Sequence, residues 1–281
     1  MLIFVKVEEL KTALLKTRQE KKSVGFVPTM GALHEGHLSL IKKSLEDNDL
    51  TVCSVFVNPA QFNEKTDYMN YPRNLNKDFQ SLEKTGCDVV FTPTEHEIYP
   101  EEDNRAFDFG YLGKIMEGKF RDGHFEGVAK VVTKLFDIVR PNKAYFGEKD
   151  YQQLLIIKKI VKDLNFPVQI VPCEIIREPD GLVMSSRNLR LSVEKRKIAS
   201  FIYQILKQSV KLAGQMPVKE LTEWVYNEFN KKKNFKIEYF FIVNNQTLEE
   251  IKNWDEKAGK IGCIAVWLEG IRLIDNIKYN L

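Results

Sequence analysis

The sequence predicts an α/β protein: a Rossmann-like doubly wound parallel sheet with a smaller C-terminal α+β domain. Three observations carry this. From residue 23 to about 176, short β-branched runs alternate with helix-period runs, which means parallel strands joined by crossover helices. Beyond Arg187 the rhythm changes to helices followed by clustered strands. The chain has 281 residues, which suits roughly two domains, and no repeat or low-complexity linker separates them. Domains are therefore expected at 1–187 and 188–281, sitting close together.

The elements follow in order. Ser23–Thr29 reads as a buried strand ended by Pro28, and Leu38, Ile41 and Leu45 space a helix after Gly36. Leu50–Val57 is an apolar strand closed by Asn58-Pro59; Leu75, Phe79 and Leu82 mark a helix stopped at Gly86. Asp88–Thr92 is strand-like. Val128, Val131, Val132, Leu135 and Val139 form an amphipathic helix stopped by Pro141. A short strand at Ala144–Phe146, a helix at Tyr151–Leu164 and a strand at Val168–Ile176 complete the first domain. In the second, Ser192 caps a helix carrying Ile198, Ile202, Ile205 and Leu206 and ended by Gly214. A helix after Pro217, a strand at Ile237–Val243, a short helix near Leu248, and strands at Ile261–Leu268 and Ile271–Ile274 follow. Ligands of a doubly wound sheet bind outside the carboxyl ends of its strands.

Composition excludes several classes. With 43% hydrophobic and 29% charged residues, the chain is neither collagenous nor disordered. A net charge of +3 does not announce a nucleic-acid binder, and Lys231–Lys233 reads as a solvated helix end. No apolar run approaches the ~18 residues of a membrane span. Met1–Glu9 places its apolar residues before its charges, the reverse of a secretory signal. Cys53, Cys87, Cys173 and Cys263 are widely spaced without a CxxC pair, as free, reduced thiols would be. A soluble cytoplasmic protein without membrane or nucleic-acid partners is expected.

The chemistry gathers after the first predicted strand. GxxxxGK[ST] and GxGxxG are absent, and His34-Glu35-Gly36-His37 is not a zinc-protease motif, since Leu38 occupies the position four after His34. His34 and His37 instead stand where a strand ends and a helix begins. Free N–H groups and the helix dipole there favour an anion, and a neutral imidazole can donate to a phosphate oxygen. Taken alone, the pair is equally a capping histidine beside an exposed one. Far downstream, Met184-Ser185-Ser186-Arg187 supplies two hydroxyls and a guanidinium suited to a triphosphate, though alone it is also a plain polar loop.

Together these segments resemble the HxGH-motif nucleotidylyltransferase superfamily, whose second, KMSKS-like loop the Met184–Arg187 segment matches. The similarity is closer to its pantothenate synthetase (pantoate–β-alanine ligase) family. It covers nearly the whole chain, through Val27–Leu38, Val55–Phe62, Gly123–Val128, Phe146–Gln153, Gly181–Asn188 and Arg272–Asn276. One departure is Asp122, where the family usually has Pro, which bears on the conformation of that loop.

The resemblance implies ATP-dependent condensation of (R)-pantoate with β-alanine through a pantoyl adenylate, releasing AMP and pyrophosphate. ATP would be a substrate accompanied by Mg²⁺, with no protein metal ligand named. Met30, Gly31, Ala32, Leu33, His34, Glu35, Gly36 and His37 would cradle ATP. Gly147, Glu148, Lys149, Asp150, Ile176, Met184, Ser185, Ser186 and Arg187 would complete its site. His34, His37, Lys149, Ser186 and Arg187 would serve the chemistry. Gln61 and Gln153 would bind pantoate, with Gln61 also near β-alanine; His124 is a further candidate. The bland alternatives are a surface charge for Lys149, a turn residue for Gln61, a buried strand residue for Ile176, and for Gln153 a capping box with Asp150. The resemblance also implies a homodimer; the second domain is expected to cover the site, since Met184–Arg187 lies just before it. The rival reading is another HxGH-type nucleotidylyltransferase acting on a phosphate acceptor. A regulatory nucleotide sensor would need affinity without the combined His34, His37, Lys149 and Arg187.

Overall fold

A computed structural model describes residues 1–281, with six parallel strands in one sheet and three antiparallel strands in another. The strands are β1 (Leu2–Phe4), β2 (Val24–Thr29), β3 (Leu50–Val55), β4 (Val89–Phe91), β5 (Lys143–Gly147), β6 (Gln169–Cys173), β7 (Phe235–Asn244), β8 (Lys260–Leu268) and β9 (Ile271–Tyr279). The chain divides into two compact units. One comprises Met1–Glu148 with Gln152–Glu174, the other Lys149–Tyr151 with Ile175–Leu281. Residues 175–187, which the sequence rhythm assigned to the first domain, thus group with the second, as do Lys149–Tyr151.

In the first unit the strand order is β1-β4-β3-β2-β5-β6. Neighbours alternate faces with period two, as buried strands must. Phe26, Val52, Phe91, Ala144 and Phe146 enter one core with Val128, Val132, Leu135 and Phe136. Val27, Cys53, Val90 and Tyr145 enter the other with Leu40, Ile41 and Leu82. The strand order reverses between β2 and β5, paired at Gly25 with Lys143 and Phe26 with Ala144. Their carboxyl ends, at Thr29 and Gly147, flank the switch point where such sheets bind ligands. β1 and the helix Val7–Gln19, with Leu10 and Leu14 buried, extend the sheet beyond the sequence reading.

In the second unit, Ile202, Ile205, Leu206, Leu221, Val225 and Phe229 pack on Phe240, Ile242, Ile264 and Val266 of the sheet β7-β8-β9. Two expectations are corrected there. The helix after Ser192 is two, Val193–Ala199 and Phe201–Leu212, broken at Ser200. The break leaves Ile198 38% exposed while Ile202 goes into the core. No helix forms near Leu248. Asn244 Oδ1 accepts the N–H groups of Gln246 and Thr247, an Asx-type turn that competes with helix, and Leu248 takes φ 59°. No helix is long and apolar enough to cross a membrane, and all four cysteines are buried thiols outside any disulfide.

Candidate active site

After β2 the chain makes a tight turn before the helix Glu35–Asp47. Gly31 has φ 78° and Ala32 φ 50°, left-handed values that only glycine adopts without cost. What holds Ala32 there is Asp78. Its carboxylate accepts the Ala32 N–H at 3.0 Å and the Leu33 N–H at 2.8 Å, while Thr29 Oγ1 accepts the Gly31 N–H at 3.2 Å. Burial pushes the Asp78 carboxyl above the usual carboxylate range, a rise that the N–H groups of Leu33 and Ala32 reduce without cancelling.

His34 is the N-cap of the helix, with its ring 4.0 Å from that of His37, centroid to centroid. The His34 N–H donates to His37 Nδ1 at 3.4 Å. Accepting at Nδ1 puts the proton of a neutral His37 on Nε2, as a hydrogen-bond donor. The free N–H groups expected at this helix start are fewer than a bare helix end offers. Those of Gly31, Ala32, Leu33 and His34 are committed as above, and that of His37 to His34 O. Glu35 and Gly36, the first two helical positions, are left to meet an anion.

Gln61 ends the 3₁₀ turn Pro59–Gln61 and is 9% exposed. Its Nε2 donates to Met30 Sδ at 3.1 Å, and its Oε1 accepts from Asn58 Nδ2 at 3.1 Å. The same Asn58 amide donates to Gly127 O and accepts from the Tyr99 hydroxyl, which burial keeps protonated. Gln61 O accepts from His124 Nδ1 at 2.8 Å, and Arg121 Nη1 lies 3.0 Å from His124 Nε2. A carbonyl only accepts and a guanidinium only donates, so His124 is the neutral Nδ1–H tautomer. The structure thus brings Met30, Gln61 and His124 together.

Gln153 lies on the helix Tyr151–Asp163, half-buried. The capping box expected as its alternative is not formed. Asp150 closes the 3₁₀ turn Glu148–Asp150 and its carboxylate faces Lys149 Nζ at 3.4 Å. Its neighbour Gln152 is the structural member of the pair, bonded to Leu112 O, Ile115 O and Glu117 N.

In the second unit, the Lys149 side chain is only 18% exposed, not a freely solvated surface charge. Its carbonyl accepts from Asn276 Nδ2 at 3.0 Å, and the Tyr151 hydroxyl donates to Asn245 O at 2.9 Å. Strand β6 stops at Cys173, so Ile176 lies beyond it, and its carbonyl accepts the Met184 N–H at 3.0 Å. Ser185 caps the 3₁₀ turn Ser186–Arg190, its Oγ accepting the Arg187 N–H at 3.3 Å; Ser186 is buried.

The family model for pantoate-beta-alanine ligase matches residues 2–278. The chain belongs to the pantoate–β-alanine ligase family. It is 50% identical to the pantothenate synthetase of Porphyromonas gingivalis ATCC 33277 over 280 residues, covering all of both chains. It is 49% identical to that of Azobacteroides pseudotrichonymphae, covering 99% of this chain and 100% of that one. A crystal structure of pantothenate synthetase from Thermus thermophilus matches with TM-score 0.93 at 43% identity, over 99% of each chain. A Francisella tularensis pantoate-β-alanine ligase, crystallised with β-γ ATP and β-alanine, matches with TM-score 0.84 at 37% identity, over 100% of this chain and 98% of that one. The doubly wound sheet with a smaller antiparallel-sheet unit is thus the ligase family's fold.

Sequence reasoning passed over Asp78, Asn58 and Tyr99. Asp78 had left a signal: it falls on the stripe Leu75-Asp78-Phe79-Leu82, and a carboxylate on an apolar helix face needs a partner.

Proposed function

We propose that this protein condenses pantoate with β-alanine at the expense of ATP. The observation that carries the reading is a full-length match to the ligase family in a chain whose paired histidines open a helix at the switch point of the sheet. In the first step a pantoate carboxylate oxygen attacks the α-phosphorus of ATP. The bond to the bridging oxygen breaks, and pyrophosphate leaves with the electron pair. In the second step the β-alanine amine attacks the acyl carbon of pantoyl adenylate, AMP leaves, and the amine proton is lost. Adenylation is needed because a carboxylate is a poor acyl donor.

Charge builds on phosphate oxygens in the first step. The N–H groups of Glu35 and Gly36, the His37 Nε2–H and the His34 ring meet it as oriented dipoles, with His37 acting chiefly by charge relief. Lys149 contributes a compact charge to the triphosphate, Ser186 and Arg187 further donors. Gln61 and Gln153 orient pantoate. Magnesium would come in on the nucleotide. No cluster of three His, Cys, Asp or Glu side chains that could hold a metal is present, and Asp78 spends both oxygens on backbone N–H groups. The protein's own residues do not fit a metal cage, and no step above runs through one. A cytoplasmic homodimer is part of the same proposal.

The test is ATP–pyrophosphate isotope exchange. Exchange should require pantoate but not β-alanine, and AMP should be the final nucleotide. His37→Ala and Lys149→Ala should each slow exchange about 10²–10³-fold while leaving the protein folded. Exchange without pantoate, or ADP as product, would overturn the assignment.

A further inference from the structure

The tail segment Arg272–Asn276 matches the ligase family yet has no part in the chemistry above. We propose that Asp275 and Asn276 are positioning residues that hold two nucleotide-binding segments, Lys149 and Met184–Arg187, from one point on β9. This rests on the reading of Lys149 given above.

Asp275 and Asn276 stand mid-strand opposite Ile264 and Cys263 of β8, and are 3% and 4% exposed. Arg177 grips Asp275 with two bonds, Nη1 to Oδ2 at 2.7 Å and Nη2 to Oδ1 at 2.9 Å, and donates to Asn276 O at 3.1 Å. The Arg177 guanidinium also bonds Gly181 O at 3.1 Å and lies 3.9 Å over the Tyr203 ring. It belongs to a small antiparallel hairpin, bridged at Arg177 and Val183 and closed by Met184 N–H to Ile176 O. That hairpin runs directly into Met184–Arg187. On the other side, Asp275 Oδ1 accepts the Asn276 N–H at 2.7 Å, and Asn276 Nδ2 donates to Lys149 O. One carboxylate therefore fixes the hairpin through Arg177 and the Lys149 backbone through Asn276.

Sheet stability does not account for this arrangement. A buried ion pair costs desolvation, and well-packed apolar residues of like volume commonly serve a fold as well or better. A clamp on Lys149 has a chemical use instead. Its ammonium rides on a flexible four-carbon stem, so anchoring the backbone narrows where the charge can fall.

The test compares Asn276→Ala and Asn276→Asp with Lys149→Ala and the double variant Lys149→Ala/Asn276→Ala. Each single Asn276 variant should lose about 10–10²-fold in kcat/KM for ATP, with KM for β-alanine within about twofold. Asn276→Asp should fail as Ala does, because a carboxylate has no donor for Lys149 O. Ile264→Val, a core change on the adjoining strand, should lower Tm without altering ATP kinetics. The double variant should be no worse than Lys149→Ala, since Asn276 acts through that residue. Additive losses, equal losses toward all three substrates, or failure of both Asn276 variants to fold would overturn the positioning role. So would normal ATP kinetics in the Asn276 variants beside an impaired Lys149→Ala. Normal ATP kinetics in Lys149→Ala would instead overturn the underlying reading of Lys149, and this inference with it.

Discussion

Gly127→Ala separates packing from chemistry at Gln61, the residue proposed to bind pantoate. Gly127 lies on the helix His124–Val139, against the turn Pro59–Gln61. A Cβ built there would fall 2.5 Å from Gln61 N and nearer still to Ala60 C and O, whereas ordinary contact begins at 3.4 Å. Those neighbours are backbone and cannot rotate away, so helix and turn must part by about 1 Å, overpacking of a kind that costs about 1–3 kcal/mol. Replacing glycine in a helix returns about 0.5–1 kcal/mol; with three backbone atoms in the way the overpacking falls at the upper end of its range, leaving a net loss of about 2 kcal/mol and a fall in Tm of about 4–8 °C. The kinetic effect should be larger than the stability effect. The turn carries Gln61, and a displacement of about 1 Å in a substrate-positioning group can cost about 10²-fold in kcat/KM. Thermal melting and initial rates against pantoate and ATP measure both, with the loss expected toward pantoate. An unchanged Tm would refute the packing argument. A lowered Tm with wild-type pantoate kinetics would keep the packing and remove Gln61 from substrate binding.

Gln153→Glu should keep the protein's stability, since the side chain makes no capping bond, while raising KM for pantoate about 10²-fold through a lost donor and like-charge repulsion; an unchanged KM would remove Gln153 from the substrate. Asp78→Ala strands the buried N–H groups of Ala32 and Leu33 and should cost about 3 kcal/mol, with pyrophosphate exchange falling as the His34–His37 segment loses its anchor. Wild-type denaturant stability would contradict that. For acid stability, hydrogen bonding from Arg105 holds the Asp103 carboxyl down to about 2 from the usual 3.8. Between those values the unfolded chain binds more protons, so stability rises with pH there; the contribution is complete above the usual value and lost as pH falls toward 2. Arg105→Gln should therefore move acid unfolding to higher pH, and an unmoved midpoint would count against the pair.

The parts of the fold that repeat a simple period were legible in the sequence. β2, β3 and β5 announce themselves through apolar runs, and the helix Leu75–Thr85 ends at Gly86, which takes φ 89° as a C-terminal glycine should. What escaped was what only tertiary contacts decide. The sequence reading ends the last strand at Ile274, before Asp275 and Asn276, yet β9 continues to Tyr279 because Arg177, 98 residues away in sequence, satisfies the Asp275 carboxylate. Thr247-Leu248-Glu249 looks helical until the Asn244 side chain claims the local N–H groups. At the candidate site, the histidine pair and its helix start could be read directly, whereas the backbone bonds that Asp78 makes could not. Gln152 and Gln153 are adjacent and chemically identical, and only the three-dimensional surroundings show that Gln152 is the one that braces a loop.

The division of the chain also limits recombination with relatives. Lys149–Tyr151 groups with the C-terminal residues while its sequence neighbours on both sides group with the N-terminal ones. A chimera joined at Glu174 would therefore mix parents within one hydrogen-bonded set: Lys149 O and the Tyr151 hydroxyl from one, Asn276 and Asn245 O from the other. The C-terminal unit is not a transplantable cassette. Two parents can exchange it cleanly only if they agree at Lys149–Tyr151 and at the groups that meet it, so a crossover at the apparent boundary tests residue compatibility some 25 positions upstream of the join.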